Sequence, residues 1–333
     1  MSKPEFYSKL IKYAAISNSK SIIQLINTII PYFTIFAFMS WLVVNDYPYW
    51  IVLLLAIIEA GYMARLFIIF HDCTHNTFFR SKTTCRIFGH ISGVITFTAF
   101  YDWKHAHMIH HASSSNLDRR GTGDMWTMTL KEYEASSKIK KLWYHLFRNP
   151  FFLFIIAPAF KFLILNRIPN TYKWNKELVS QLITTGVIIL IIIAAGMTIG
   201  LKNYFLVQVP IIWIGGSAGL WLFYIQHQFK GAYWSRNNEW DPFKAALDGA
   251  SFYKLPGLLR WFTGNIGYHH IHHLLPNIPN YNLRKCYNEV IEVQKSMPIT
   301  LRTGFNSFSL KLYDEDSKQL VSFRSARNRI RNH

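Results

Sequence analysis

Histidines with helix spacing are the residues of this chain that could do chemistry. Eight of the fourteen histidines fall into three clusters: His71 and His75; His107, His110 and His111; and His269, His272 and His273. Positions i, i+3 and i+4 share one face of an α-helix, so each cluster would point its imidazoles the same way. Neutral imidazole is a common ligand of iron, zinc and copper. The three clusters together predict one polynuclear metal site.

A structural role is the competing interpretation of such clusters. A single pair of histidines four residues apart is more often structural than metal-binding. Three arrays in one chain are different, because protonated neighbours on one helix face would repel each other. The pattern therefore favours metal binding over an idle surface.

The elements that must position these residues are membrane helices. Half of the 333 residues are hydrophobic and 17% are aromatic. About 20 apolar residues in a helix cross a hydrocarbon core of about 30 Å. Four stretches meet this requirement, at residues 22–44, 50–70, 178–201 and 204–229. We therefore expect an all-α membrane protein with four transmembrane helices in two hairpins, forming a single domain over residues 1–333.

Smaller features refine this expectation. The apolar segments 87–100 and 151–165 are too short to cross a bilayer with certainty, which favours re-entrant, interfacial or in-plane helices. Glu59, inside the second span, is expected to face a partner helix. The fourth span contains three glycines that predict close helix packing: Gly215, Gly216 and Gly219.

The topology brings the histidines to one side of the membrane. Two hairpins place the N-terminus and a helical cap, residues 71–177 and 230–333, on the same side, together with all three clusters and His227 at the end of the fourth span. All of the 36 lysines and arginines except Arg65 and Lys202 also lie there. The positive-inside rule makes this side cytoplasmic.

Charge and cysteine content limit the other possibilities. The net charge of +18 is explained by cytoplasmic loops near anionic lipid, and no nucleic-acid-binding motif is present. Three cysteines, Cys73, Cys85 and Cys286, cannot form a disulfide framework, which fits a reducing compartment.

The number of imidazoles indicates two metal ions. A zinc ion takes four ligands, whereas eight or nine imidazoles suit two ions with four or five nitrogens each. Iron is the preferred ion because it can activate O₂. Ligating imidazoles donate their second N–H to carboxylates or carbonyls. Four acids are candidates for this role, although each is also explained as a solvated or capping residue: Asp72, Asp102, Asp241 and Asp248.

The chain resembles the integral-membrane fatty acid desaturases over nearly its whole length. The similarity to the bacterial acyl-lipid branch, which resembles omega-6 and omega-3 enzymes, is carried by residues 65–75, 221–229, 252–256 and 268–283. The resemblance implies a di-iron centre that uses O₂ to introduce a cis double bond into the acyl chain of a membrane lipid. It also implies these iron ligands: His71, His75, His107, His110, His111, His227, His269, His272 and His273.

Other residues near the clusters are expected to play supporting roles. His105 and His270 lie off the ligand faces and are expected in outer or surface positions, and His90 is expected to be structural. Asn265 could hold a metal-bound water or cap a helix. Aromatic residues near the clusters either line an acyl-chain tunnel or provide interfacial packing: Phe78, Phe79, Trp103, Trp261 and Phe262.

Electrons must come from another protein, because no flavin, nicotinamide or haem motif is visible. A ferredoxin or a b-type cytochrome is expected, and a basic cytoplasmic face would suit an acidic donor. A bacterial inner membrane is favoured over the endoplasmic reticulum.

Two other functions remain open from the sequence. A di-iron hydroxylase or ketolase of lipids or carotenoids would use similar histidine clusters, and the similarity over residues 252–283 favours desaturation. A metal transporter would place ionisable groups in the middle of several spans. Here the histidines lie at or beyond the ends of the spans.

Overall fold

The computed structural model describes residues 5–331 and is mostly helical. In chain order the α-helices of this part are α1 (Tyr7–Ile11), α2 (Asn18–Val44), α3 (Tyr49–Thr74), α4 (Lys82–Ile95), α5 (Phe100–Ser113), α6 (Leu130–Ala135), α7 (Lys138–Phe147), α8 (Ala157–Leu163), α9 (Lys176–Thr198), α10 (Leu201–His227), α11 (Pro242–Leu247), α12 (Gly257–Phe262), α13 (His269–Leu274), α14 (Asn280–Glu289), α15 (Leu301–Gly304) and α16 (Phe323–Arg331). A π-helical turn over Phe152–Ile156 leads into α8. Short 3₁₀ segments occur at Lys12–Ala14, Leu165–Arg167, Ile291–Lys295 and Phe305–Ser309.

Four helices, α2, α3, α9 and α10, are long and apolar enough to cross a membrane. The four predicted spans fall on these helices, which confirms a helical protein with four candidate membrane spans. α3 runs to Thr74, four residues beyond the predicted end, so His71 lies within the helix. α10 ends at His227, two residues before the predicted end.

Local sequence explains where the long helices begin and end. The side chain of Ser17 caps α2, and that of Asn175 caps α9 by accepting the N–H of Leu178 at 2.9 Å. α2 ends in a turn with Asp46 at φ +54°, and Gly200 at φ +86° joins α9 to α10. These short connections leave α2 packed on α3 and α9 packed on α10.

α3 is the central helix, because it packs against α2, α4 and α10. Two of the three glycines of α10 allow close packing: a methyl group at Gly215 would lie 3.1 Å from Met63 Sδ, and one at Gly216 would lie 2.8 Å from Phe162 Cδ2. The prediction for Gly219 was wrong, since a methyl group there meets no atom within 4 Å.

Charged groups inside the helix bundle are buried. Glu59 on α3 is fully buried, and neither carboxyl oxygen has a hydrogen-bond partner among the described residues. Arg65, 7% exposed, donates to Thr28 Oγ1 on α2 at 3.1 Å and to the carbonyl of Trp261 on α12. Arg65 therefore ties the end of α3 to a later part of the chain.

The short apolar segments form helices that pack on the bundle. Residues 87–100 belong to α4 and the turn before α5, and α4 packs on α3 and α9. Residues 151–165 form the π-helical turn and α8, which packs on α10. α7 and the segment Phe152–Arg167 meet at 59°, and by length and composition this bent pair could count as a fifth span.

Two small sheets join separate segments, and one of them connects the C-terminal part to the middle of the chain. In the described residues, β1 (Met128–Thr129), β2 (Phe252–Lys254), β3 (Pro298–Thr300), β4 (Leu312–Asp314) and β5 (Gln319–Val321) form two sheets. β4 pairs parallel to β1 and antiparallel to β5, with Met128 opposite Leu312, and β2 pairs parallel to β3. Segments far apart in sequence are thereby held around the histidine-bearing helices.

Candidate metal centre

The ends of two long helices and the faces of two shorter ones carry the nine predicted ligands. The carriers are the C-terminal end of α3 (His71, His75), the face of α5 (His107, His110, His111), the last residue of α10 (His227) and the six-residue α13 (His269, His272, His273). The helix spacing recognised in the sequence therefore gives each cluster a common direction.

The first group of ring nitrogens draws on α3, α5 and α13. Five histidines each offer one nitrogen within 4.8 Å of the others: His71, His75, His107, His111 and His272. Adjacent Nε2 atoms are 3.0 Å apart for His75 and His107, 3.1 Å for His107 and His111, and 3.0 Å for His111 and His272. The Nε2 of His71 is buried and has no hydrogen-bond partner among the described residues.

The second group draws on α5, α10 and α13. It contains four histidines under the same 4.8 Å limit: His110, His227, His269 and His273. The Nε2 atoms of His110 and His227 are 3.1 Å apart, those of His227 and His269 are 3.0 Å apart, and those of His269 and His273 are 3.0 Å apart. The nine predicted residues thus form two neighbouring sets of five and four.

Hydrogen bonding alone cannot explain these distances. A neutral imidazole has one N–H donor, so at most two of the three successive Nε2 contacts in each group can be hydrogen bonds. Two nitrogens bound at right angles to one ion, with bonds of about 2.1 Å, would lie about 3.0 Å apart, whereas tetrahedral bonds of that length would place them about 3.4 Å apart. The observed spacing is that of nitrogens that could share one metal ion in each group.

Burial favours the neutral, metal-binding form of four of the imidazoles. Burial lowers the pKa values of His107, His111, His272 and His273 well below the usual value for histidine, and the neighbouring imidazoles lower them further. A neutral imidazole keeps a lone pair on one ring nitrogen, so no proton has to be removed before an ion binds.

A buried carboxylate orients the first group. Asp72, 2% exposed, accepts the Nδ1–H of His71 at 3.1 Å on Oδ1. Its Oδ2 accepts the backbone N–H of Asn280 at 2.7 Å and the side-chain N–H of Asn280 at 2.8 Å. With Nδ1 acting as the donor, the lone pair of His71 is on Nε2, which faces the other ligands.

The second group has its own outer partners. Asp124 Oδ1 lies 2.6 Å from His110 Nδ1, and the carbonyl of Gly249 lies 3.2 Å from His227 Nδ1. Both contacts direct Nε2 toward the other members of the group. The donor set, its protonation and its outer partners all suit metal ions, so these two groups could bind metal.

Comparison with known proteins agrees with this geometry. Residues 47–304 match the family model described as fatty acid desaturase. The chain belongs to the fatty acid desaturase family. A fatty acid desaturase of Bacillus subtilis (strain 168) is 46% identical over 95% of this chain and 89% of its own length.

More distant relatives extend the comparison to plants and cyanobacteria. A Vigna radiata protein described as an omega-3 fatty acid desaturase of the endoplasmic reticulum is 25% identical over 78% of this chain and 73% of its own length. A Nostoc sp. (strain 36) protein described as a sn-1 acyl-lipid omega-3 desaturase (ferredoxin) is 25% identical over 66% of this chain and 62% of its own length. The chain is therefore an enzyme of lipid desaturation.

The carboxylates that contact the clustered histidines of this desaturase differ from those predicted. Of the four predicted acids, only Asp72 contacts an imidazole among the described residues. The carboxylate of Asp102 accepts N–H groups from Asn170, Asp241 caps α11, and Asp248 ends that helix. Asp124 was not predicted. Its signal in the sequence was weak, because it lies in an irregular segment 13 residues after His111, and only the chain reversal brings it back to His110.

Three histidines that the sequence analysis placed outside the ligand set, and Asn265, are not part of the two groups. His105 is exposed and lies 3.9 Å from Glu177, as expected for a surface position. His270 is not on the surface: it is fully buried, it donates to the carbonyl of Val293 at 2.9 Å, and burial lowers its pKa to about 4. The ring of His90 packs against that of Phe100 in a tilted arrangement, with centroids 5.0 Å apart. Asn265 occupies a turn at φ +61°.

One of the five predicted tunnel aromatics contacts the ligands. Trp103 stacks on His107 with ring centroids 4.2 Å apart. Phe78 and Phe79 pack in the apolar core, while Trp261 and Phe262 contact Tyr62 on α3. Phe223 was not predicted, although its ring lies 5.4 Å from that of His110 and 5.5 Å from that of His227.

Proposed function

We propose that this chain is a membrane-bound di-iron enzyme that introduces a cis double bond into the acyl chain of a membrane lipid. Two hydrogen atoms leave neighbouring methylenes, two electrons and two protons are added from outside, and O₂ is reduced to two molecules of water. The observation that supports this best is the convergence of nine imidazoles, most of them buried, into groups of five and four in a fatty acid desaturase.

The nine histidines are the proposed iron ligands. His71, His75, His107, His111 and His272 would hold one ion, and His110, His227, His269 and His273 the other. Iron bound there would supply O₂ activation and the removal of hydrogen from unactivated methylenes. The protein orients His71 through Asp72 and His110 through Asp124, while Trp103 covers one side of His107.

The proposed topology has two hairpins, α2–α3 and α9–α10, with the histidines on the cytoplasmic side. α3 ends beside His75 and α10 ends at His227. Both ends contact α13, because His75 packs against His272 and His227 against His273. The positive-inside rule supports the cytoplasmic assignment, since only Arg65 and Lys202 among the basic residues fall outside that side. Residues 71–177 and 230–333 would then form the cap.

The proposed partners are an acyl lipid and a separate protein that donates electrons. The Nostoc relative is named as an acyl-lipid desaturase that uses ferredoxin. A ferredoxin or a b-type cytochrome would approach a chain whose net charge is +18, which favours association with an acidic protein. A bacterial inner membrane is the proposed location, supported by the Bacillus relative.

Expression in a host without polyunsaturated lipid tests the reaction. Methyl esters of the host's fatty acids should contain a new cis double bond, and gas chromatography with mass spectrometry locates it. His110→Ala should abolish the product and lower the iron content. His105→Ala, a change at an exposed histidine of the same helix, should do neither.

The same experiment separates the alternatives. A hydroxy or keto product would favour a hydroxylase or ketolase over a desaturase. Purified chain that holds zinc rather than iron, or full activity of His110→Ala, would contradict the proposed centre.

A further inference from the structure

Arg148 is a buried cation without an acidic partner. It follows α7 as its C-cap and is 1% exposed. Nη1 donates to the carbonyl of Trp126 at 3.2 Å, and Nη2 donates to Gln228 Oε1 at 2.9 Å and to the carbonyl of Leu310 at 2.9 Å. No salt bridge involves Arg148 within the described part of the chain. Burying an unpaired charge costs folding free energy, so a buried arginine without an acidic partner is unusual.

The partners of Arg148 lead to two members of the second histidine group. Trp126 lies two residues after Asp124, which holds His110, and Gln228 directly follows His227. The Nε2 atoms of His110 and His227 are 3.1 Å apart. Starting from His110, the contacts run through the Asp124–Trp126 segment, Arg148 and Gln228 to His227 and back to His110, forming a closed ring.

We propose that Arg148 is a positioning residue for the second metal ion. By holding the carbonyl of Trp126 and the side chain of Gln228 at once, its guanidinium fixes the segment that orients His110 relative to the end of α10 that carries His227. This inference rests on the proposed function, because it assumes that the second group holds an ion. It predicts that Arg148 matters for the group of four histidines and not for the group of five.

This closed path of contacts requires an arginine at position 148. Four acceptors from three chain segments surround one planar guanidinium, which presents five N–H donors in a fixed geometry; the fourth is the hydroxyl of Tyr224, 3.3 Å from Nη2. A lysine would keep the positive charge but would lack the planar arrangement of N–H donors. Gln228 adds a second connection, because its Nε2 donates to Thr127 Oγ1 at 3.0 Å, next to Trp126.

Selective loss of iron tests this assignment. The full-length chain is purified, loaded with ⁵⁷Fe under anaerobic conditions and exposed to increasing concentrations of a ferrous chelator. Iron per chain and the Mössbauer spectrum are then measured. The wild type should show two iron environments, because one group has five nitrogens and the other four. Arg148→Lys should release one iron at a chelator concentration about 10-fold lower, since loss of an outer partner weakens metal binding by about 10- to 100-fold.

A matched control separates positioning from the general effect of changing a buried arginine. Arg167 is half-buried, whereas Arg148 is fully buried; it donates to the carbonyl of Phe97 at 2.5 Å and contacts none of the residues that link Arg148 to His110 and His227. Arg167→Lys should retain both irons with wild-type affinity. Gln228→Met keeps Arg148 but breaks the connection, and it should also release one iron early. Gln228→Glu should hold the iron more firmly than Gln228→Met, because a carboxylate still accepts from Arg148, although it can no longer donate to Thr127.

The outcomes distinguish this inference from the proposed function. If the wild type holds no iron, the proposed function fails. If the wild type holds two irons, and folded Arg148→Lys and Gln228→Met release both irons together or hold both as the wild type does, Arg148 does not position the second ion. Gln228→Met alone decides the question if Arg148→Lys does not fold.

Discussion

Replacing Asp72 by asparagine should weaken the first metal site selectively. The carboxylate of Asp72 accepts three N–H groups: one from His71 at 3.1 Å and two from Asn280 at 2.7 and 2.8 Å. An amide has only one acceptor oxygen. If that oxygen keeps both contacts with Asn280, the new NH₂ group faces His71 Nδ1. His71 must then lose this hydrogen bond or move its proton to Nε2, the atom that would bind the ion.

The expected magnitude follows from the hydrogen bond that is lost. A hydrogen bond to a charged group contributes about 1.5–3 kcal/mol. A loss of that size in the metal-bound state corresponds to about 10- to 150-fold weaker binding at one of the two sites. The second site should keep its affinity, because Asp72 contacts none of its four histidines.

Competition with a ferrous chelator measures this change. Apo-protein in nanodiscs is titrated with Fe²⁺ under anaerobic conditions, and the two binding constants are fitted for the wild type, Asp72→Asn and Asp102→Asn. Asp102 is the matched control, because it is also predicted from the sequence as an outer partner but its carboxylate contacts Asn170 instead. If Asp72→Asn binds both ions within twofold of Asp102→Asn, the orienting role of Asp72 is refuted.

Three further predictions concern stability. Gly216→Ala should lower the thermal unfolding temperature, because the added methyl would lie 2.8 Å from Phe162 and overpacking costs about 1–3 kcal/mol, whereas Gly219→Ala, which meets open space, should be neutral or stabilising. His270→Leu should destabilise the fold by about 1–3 kcal/mol, because the carbonyl of Val293 loses its partner, and it should still hold two irons per chain; loss of iron would contradict a structural role. Removing iron with a chelator should lower the unfolding temperature of the wild type, and adding Fe²⁺ back should restore it. The reason is that ions that bind only the folded state stabilise that state. An unchanged unfolding temperature would argue against ion binding by the folded chain.

The sequence predicted those parts of the site that depend on helix periodicity. The spacing of His107, His110 and His111 is local information, and α5 converts it directly into a common direction. His227 could be placed because the length of its apolar helix fixes where that helix ends. The division into groups of five and four was not visible, since α5 contributes to both groups and the assignment depends on how α13 packs.

Outer contacts were harder to predict, because closeness in sequence is a poor guide to closeness in space. Asp102 lies on α5 with three of the nine histidines, yet its side chain contacts Asn170. Asp124 lies outside any helix or strand and reaches His110 only because the segment after α5 turns back. The burial of Arg148 could not be predicted, because a basic residue after a lysine-rich amphipathic helix is normally solvated.

The contact between Asp72 and Asn280 has a consequence for biosynthesis. These residues are 208 positions apart, and the first histidine group also needs both α3 and α13. At about 5–20 residues per second, a ribosome needs roughly 10–40 seconds to translate that interval. α3 is therefore synthesised well before Asp72 can bind Asn280. During this time Asp72 lacks both of its contacts with Asn280, and the first histidine group can be completed only after α13 has been made.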